Sequence, residues 1–510
     1  MNDIADQIKN KKTDKWSLLS PLSVIHFITK FISQIIKHST QSLAPLAGVL
    51  VIGGDNRWQI LTFIGLAFLA IMIIAGFLSY IKFRFRLDGD RVLIRSGVLN
   101  QKNITLTFDR IQNVILKEPI YFRPFNLVTM EIESTGSSNI EISLGGIPRL
   151  LAEAIRLKVI DQKHIKIDHE SEEETSPIKE DQLIHRPISE LVRYGLSSNA
   201  IWAFAALAAS ILPQLDFEEW GIFEKAGDFI TNTFGSDPVI LSILSFVGIV
   251  FIIAALLLIS VLGSIIIYYD FRLSKHGKRF QATKGLFEKQ ENTMLESKIQ
   301  SIKIKQPWVA KLFGRSHIHL KKTGSSTSPE EAPAGGGQKF IIPSVEHTFT
   351  DRFTKILYPS FNWQSLPLKG IHYKFVTKYI FMIFLPIAAL ISTVITLISG
   401  SYFGLLPLLL PLLATPIIML IRARYGYASD DEHGIVRTGF FGQTFTIFPF
   451  FKAQTVTLTQ TPGQRKHKLA TLDIKLSGDK IHLPYIPFED ASNWRDKILY
   501  KIESVNKPWM

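Results

Sequence analysis

Residues Val239 to Tyr268 form a 30-residue run without a charged side chain. A soluble domain has little use for such a run, whereas roughly 20 apolar residues suffice to cross a bilayer core. Three more runs approach that length: Ile60 to Ile81, Tyr379 to Ser399 and Tyr402 to Ile421. These four are expected to span a membrane. Two weaker runs, Leu43 to Ile52 and Ala200 to Leu212, each precede a strong one. Read as partners of the strong runs, they raise the expectation to six spans in three hairpins.

The rest of the chain is too polar for a pure membrane bundle. Of its 510 residues 46% are hydrophobic and 20% charged, and the mean hydropathy is +0.19. At roughly 150 residues per domain, that length leaves room for about three domains. Cysteine is absent, which removes disulfides, thiolate metal sites and cysteine nucleophiles together. The basic start (Lys9, Lys11, Lys12 and Lys15) is not followed by the apolar core of a secretory signal, so the anchors are expected to be retained.

The net charge of +13 could suit nucleic acid or an anionic membrane, and its distribution decides between them. The stretch Asp168 to Asp181 holds seven acids and one lysine, and Pro213 to Pro238 holds six acids and one lysine. The remainder therefore carries +24. The short loops Gly53 to Trp58, Pro213 to Pro238 and Gly400 with Ser401 contain only two basic residues, Arg57 and Lys225. Basic segments stay on the cytoplasmic side. Both termini and the hydrophilic regions are thus expected on the cytoplasmic side of the membrane, and no nucleic-acid partner is expected.

The hydrophilic regions repeat. Gly97, Gln112 and Gly136 correspond to Gly285, Gln300 and Gly324 and then to Gly439, Gln454 and Gly478, with separations of 15 and 24 residues in all three copies. Around the glutamine the text reads DRIQNV, SKIQSI and FKAQTV. Apolar residues alternate with polar ones at Val92 and Ile94, at Ile104, Leu106 and Phe108, at Met130 and Ile132, and at Ile140, Ile142 and Leu144. That period-2 pattern predicts short strands, with glycines at the turns. An Ile-Pro step (Ile147-Pro148, Ile342-Pro343, Ile486-Pro487) then leads into amphipathic helices over Arg149 to Ile160, Thr348 to Leu357 and Asp490 to Ile502.

The expected chain is an α+β membrane protein built from one unit used three times. An interfacial helix and hairpin (18–82) precede a small antiparallel β-barrel or sandwich closed by one helix (83–162). An acidic linker (163–184) leads to hairpin 2 (185–268) and β-domain 2 (269–358), and hairpin 3 (366–422) leads to β-domain 3 (423–504). The first helix carries His26, Lys30 and Gln34 at i, i+4 spacing among apolar residues, which suits the membrane interface. Gly324 to Gln338 reads as a low-complexity loop in the second copy.

This combination resembles the bacterial pleckstrin-homology-like family of the second type, long catalogued as a domain of unknown function, and in particular its three-copy membrane branch. The cues are the strand Arg84 to Leu87 after a hairpin, the turn Arg95 to Gly97, the DRIQNV block and the strand Leu127 to Thr129. The third copy lacks the isoleucine before Gln454 and the aromatic supplied by Phe125 and Phe313. The resemblance implies pleckstrin-homology-like (PH-like) barrels on the cytoplasmic face, no accepted catalytic activity, and a shorter partner with a single such domain.

Candidate site residues are few. The eukaryotic namesake binds phosphoinositides through basic residues in its first hairpin loop. Here Lys82, Arg84 and Arg86 lie before that loop, directly after a span, so they read as a topogenic cluster that meets lipid headgroups. Arg272, Lys278 and Arg279, and Arg422 and Arg424, read the same way. The recurring glycines and glutamines read as architecture, because a glutamine at a strand irregularity can satisfy unpaired backbone groups. His317 and His319 lack a third ligand of fixed spacing, so a strand surface is expected rather than a metal site. A phosphate-binding loop fails at SKHGKR, where Arg272 replaces the first glycine.

With no catalytic pattern and no cofactor expected, the sequence points to a non-enzymatic membrane scaffold that assembles with itself or with a partner, in envelope protection. A transporter or exporter with regulatory β-domains is the alternative, weakened by the scarcity of ionisable residues within the spans. Anionic-lipid sensing is a further alternative.

Overall fold

The computed structural model describes residues 16–37, 57–88, 91–98, 100–108, 111–134, 140–157, 181–198, 222–234, 237–322 and 340–504. The runs Leu43 to Ile52 and Ala200 to Leu212, the acidic linker up to residue 180 and the loop Gly324 to Gln338 lie outside these residues.

The α-helices of six or more described residues, in chain order, are α1 (Ser23–Lys37), α2 (Arg57–Lys82), α3 (149–157), α4 (Ile188–Ser197), α5 (Ile222–Phe234), α6 (Pro238–Tyr268), α7 (His347–Leu357), α8 (Lys374–Tyr379), α9 (Leu385–Ser399), α10 (Leu410–Arg424) and α11 (Phe488–Ser504). Among the described residues, four helical stretches are long and apolar enough to cross a membrane: Thr62–Lys82, Pro238–Tyr268, Lys374–Ser399 and Tyr402–Arg424. In the third unit α8 runs through a π-turn (Ile380–Phe384) into α9, so the polar-striped segment and the first hairpin run are one continuous helix. The expected separation into an interfacial helix and a span does not hold there.

Each unit contributes two groups of three strands. They are β1 (Arg84–Asp88), β2 (Arg91–Ser96) and β3 (Lys102–Thr107), followed by β4 (Ile111–Pro119), β5 (Leu127–Ser134) and β6 (Ile140–Pro148). In the second unit β7 (Asp181–His185) precedes β8 (Arg272–His276), β9 (Arg279–Lys284) and β10 (Glu288–Leu295), then β11 (Ile299–Gln306), β12 (Arg315–Lys322) and β13 (Phe340–Glu346). The third has β14 (Gly426–Ser429), β15 (His433–Thr438) and β16 (Gln443–Pro449), then β17 (Ala453–Thr459), β18 (Leu469–Leu476) and β19 (Asp479–Pro487).

None of the described sheets closes into a barrel, which corrects the barrel expectation. The sheets run β1-β2-β3, then β6-β5-β4-β10-β9-β8-β7, then β13-β12-β11-β16-β15-β14, then β17-β18-β19. The second half of each unit thus continues into the first half of the next. The edge strand β4, instead of closing on its own unit, pairs with β10, and β11 pairs with β16. Pairing satisfies the backbone groups that an edge leaves open.

Local chemistry explains the repetition. Gly97, Gly285 and Gly439 have φ of 106°, 111° and 154°, and a Cβ there would lie 2.0–2.2 Å from a carbonyl oxygen three residues on. Only glycine fits that turn. Two further positions take positive φ in every unit: Asn126, Gly314 and Lys468 before the fifth strand, and Gly146, Ser344 and Tyr485 in the sixth. The second set corrects the Ile-Pro alignment. Leu127, Arg315 and Leu469 pair with Pro148, Glu346 and Pro487, so the counterpart of Pro148 is Glu346 rather than Pro343. The strand β7 was not foreseen, because its five residues end a charged stretch.

Three cores result. One gathers Val92, Ile94, Leu106, Val114, Met130 and Ile142 of unit 1, and another gathers Tyr427, Phe448, Leu472, Ile474 and Trp494 of unit 3. The central core joins unit 2 with Ile435, Phe445 and Ile447 of unit 3, so the first sheet of unit 3 serves two cores from its two faces.

Candidate functional site

Two joints tie the units edge to edge. At the first, Gln290 pairs with Lys117, and at the second Thr444 pairs with Lys305. Gln290 and Thr444 each stand five residues after the turn glycine, and Lys117 and Lys305 five residues after the recurring glutamine. The two joints therefore have the same register.

Their side-chain chemistry differs. At the first joint, Arg149 of α3 reaches Glu118 at 3.1 Å, Glu153 at 2.9 Å and Glu291 of β10 at 2.9 Å, and Arg156 reaches Glu291 at 3.3 Å. Asn113 donates to Glu133 and to Asn292, both at 3.1 Å, and Lys322 pairs with Glu133. At the second, Ile302 and Ile304 face Ile447 and Phe445, with Trp363 packed on Phe445 at 5.2 Å between ring centroids. Asp479 there accepts from Ser301 at 2.7 Å and pairs with Lys303 at 2.8 Å, while the Lys452 ammonium donates to the Ser297 carbonyl at 2.8 Å and to the Ile299 carbonyl. Burial pulls the Lys452 amine down to about 8.

The third polar centre joins the second hairpin to its β-domain. Glu190 of α4 is 6% exposed and accepts from Arg315 Nε at 3.0 Å, from Arg315 Nη2 at 2.8 Å and from Ser344 Oγ at 2.6 Å, with Arg193 also paired. Burial alone would raise this carboxyl, but the Arg315 and Ser344 hydrogen bonds outweigh it and hold it at about 2. The Ser344 backbone N–H donates to His317 Nδ1 at 3.2 Å, so Nε2 carries the proton toward Ser197 Oγ at 3.0 Å. His317 is 3% exposed and burial lowers it to about 3. This overturns the expected strand-surface role: His317 sits opposite an irregularity in the β12–β13 pairing and is buried under Tyr194 and Ser197 of α4. His319 is half-buried.

Structural equivalence places other chemistry at the same positions. Arg186, Glu190, Arg315 and Ser344 correspond to Leu19, Ser23, Leu127 and Gly146 in unit 1 and to Ile371, Phe375, Leu469 and Tyr485 in unit 3. Ser23 Oγ donates to the Gly145 carbonyl at 2.7 Å, and Phe375 packs against Tyr485. Each hairpin thus docks on the kinked sixth strand by one route, and among the described residues only the second is ionic. On the membrane side of this centre, Ser260 and Ser264 of α6 donate to the Gly195 and Leu191 carbonyls at 2.7 Å, and Gly195 lets the helices approach closely.

The glutamines occupy equivalent places. Pairing shifts register between Ile111 and Asn113, between Ile299 and Ser301, and between Ala453 and Thr455, so Gln112, Gln300 and Gln454 each occupy a β-bulge. Gln300 is fully buried and Gln454 exposed. Gly136 and Gly324 lie outside the described residues, and Gly478 turns β18 into β19 with φ of 124°.

The basic residues are not gathered into one pocket. Lys82 ends α2, Arg84 is exposed on β1 and Arg86 pairs with Asp88 at 3.7 Å. Arg272 pairs with Asp270 at 3.0 Å, while Lys278 and Arg279 stand at the far end of the β8–β9 hairpin, on the order of 15 Å from the span at about 3.3 Å per residue. Arg422 and Arg424 close α10, and Arg422 donates to the Ile371 carbonyl at 3.2 Å.

Glu190, Arg315, Ser344 and Arg149 escaped sequence reading. For Glu190 and Arg315 the available signal was a charge in one copy where the sibling copies carry apolar or small residues. Chemically, these groups are occupied with one another, as clamps between elements.

The fold and its joints define a membrane-anchored array of PH-like units. The family described as Bacterial PH domain matches residues 41–163, 236–344 and 376–502, more than two thirds of the chain, and the chain belongs to that family. It is 23% identical, over 96% of its length and 98% of the relative's, to the "UPF0699 transmembrane protein YdbT" of Bacillus subtilis (strain 168). No solved structure matches.

Proposed function

We propose that the chain is a non-enzymatic scaffold of the bacterial cytoplasmic membrane. Six spans in three hairpins hold both termini and the three PH-like units on the cytoplasmic side, as a single strip on which other membrane proteins assemble. The observation that carries this reading is the identical strand register at the two joints, which ties the units edge to edge instead of leaving them as beads on linkers. A shorter membrane protein with a single PH-like domain is the partner that fits, in the service of envelope protection. Affinity purification from native membranes in mild detergent tests it. The reading expects an assembly larger than one chain, and recovery of the chain alone and monomeric would overturn it.

A second reading, retention of anionic lipid, draws on Arg84, Arg91 and Arg95, which are exposed on one face of β1 and β2 directly after α2. Native mass spectrometry of the purified chain checks it. Bound anionic lipid should decrease in Arg84→Gln and Arg95→Gln variants, and lipid counts that ignored both changes would remove this reading.

A further inference from the structure

The joint repeated inside the chain leaves its two halves open at the ends of the array. The accepting strands are β10 and β16, and their counterpart in unit 1 is β3. The added strands are β4 and β11, and their counterpart in unit 3 is β17. Among the described residues, β3 pairs only with β2 and β17 only with β18. The outer edges of β3 and β17 are therefore the two complementary parts of a third joint, carried by opposite ends of one molecule.

Burial follows the same logic. Residues 113–116 of β4 and 299–302 of β11 are buried, whereas Thr455, Thr457 and Thr459 of β17 are exposed and Val456 and Leu458 half-buried. The strand β17 has no charge and no proline over Ala453–Thr459, so it lacks the usual guards of an edge. Its threonines and valine favour extended pairing. On β3, Lys102, Asn103 and Thr105 are exposed. A polar partner face is no obstacle, since the first internal joint is itself lined by Glu291, Asn292 and Arg149.

We propose that β17 of one copy adds to β3 of a second copy, in the register of the internal joints, so that chains assemble head to tail. Thr459, five residues after Gln454, would face Lys102, five residues after Gly97. Leu458 would then face Asn103, Thr457 Ile104, and Val456 Thr105. The contact is heterologous, so it propagates unless the rotation between copies closes it. Every copy must keep its spans in one bilayer, which confines the assembly to a strip or ring in the membrane plane. A second copy is the favoured occupant because one chain supplies both halves. The proposal rests on the scaffold reading and specifies its partner.

The natural absence of cysteine makes disulfide trapping clean. Residues directly opposite across antiparallel strands have Cβ atoms about 4.5–5.5 Å apart, close enough for a disulfide after small adjustment. Lys102→Cys and Thr459→Cys chains carrying different tags are co-expressed and oxidised in native membranes, beside a double variant. A mixed-tag dimer, and a ladder of higher species from the double variant, are expected. Either single variant cross-linking to itself would mean a two-fold contact and would overturn the proposal. The internal pair Lys117→Cys with Gln290→Cys serves as control. If it closes within one chain and no mixed dimer forms, the head-to-tail array is wrong, and a larger assembly in the mild-detergent purification would then leave the scaffold standing with another occupant. If the single-domain protein is trapped at Thr459→Cys instead, self-assembly at this edge is likewise overturned.

Discussion

Replacing Glu190 by alanine removes the carboxylate on which Arg315, Ser344 and Arg193 converge, and leaves Arg186, itself 8% exposed, beside a buried guanidinium. Breaking a buried ion pair from one side costs about 3–5 kcal/mol, because the remaining charge stays desolvated. The same contacts hold the carboxyl at about 2, below its ordinary 4.5, so they favour the ionised form that the clamp needs. The sibling units suggest the compensating change: Arg186→Ile, Glu190→Phe, Arg315→Leu and Ser344→Tyr together copy the apolar version in unit 3. A well-packed apolar replacement of a buried ionic cluster is often neutral or stabilising, so the fourfold variant should recover most of the loss. Both variants are compared with the parent by thermal unfolding in detergent, following protease resistance of the α4–β13 region. A Glu190→Ala variant within about 0.5 kcal/mol of the parent would refute the clamp. A fourfold variant less stable than Glu190→Ala would refute the equivalence between the units.

The same centre should weaken in acid. His317 is held at about 3 against an ordinary 6.5, so the unfolded chain binds more protons between those values and stability falls as pH drops from 6.5 toward 3, by about 1.4 kcal/mol at pH 5.5. Glu190 adds a loss below about pH 4.5, in the same direction. Unfolding of the parent and of His317→Gln at pH 7.5 and 5.5 checks this, since the variant should lose about 1.4 kcal/mol of the pH dependence in that window and keep the part due to buried His26. Gly285→Ala should cost on the order of 1–3 kcal/mol, because its φ of 111° and the Glu288 oxygen 2.1 Å from the new Cβ both resist a side chain, and denaturant midpoints measure it. Single cysteines at Asp228 and Lys278 should react with an impermeant maleimide from opposite sides of sealed membranes, with Lys278→Cys labelled only after the cytoplasmic face is opened.

The spans and the repeat were legible because their signals are local. A charge-free run of 30 residues needs no partner to be recognised, and a turn that only glycine can make recurs wherever the turn does. The strand alternation at Val92, Ile94, Leu106 and Met130 likewise announced a core, and each of these residues is buried. What the sequence hid is which edge meets which. The alternation that makes β4 a strand is the same whether it closes its own barrel or adds to β10, because side-chain period reports faces and says nothing of edges. The joints also carry different chemistry in each copy, ionic at Arg149 and Glu291 and apolar at Phe445 and Ile447, so repetition did not expose them. His317 was misplaced for a similar reason. It lies on the face of β12 opposite Ile318 and Leu320, and Tyr194 and Ser197 of α4, from a distant part of the chain, cover it, which no strand period can announce.

Hydrogen exchange across the two joints tests the central claim most directly. If the units share sheets, the amides of 115–119 and 288–292, and those of 302–306 and 443–447, should exchange as slowly as the interior strands β5 and β12, and the two sides of each joint should lose protection together. Exchange of β4, β10, β11 and β16 at the fast rate of exposed edges, independently on the two sides, would mean three separate domains on linkers and would contradict the account.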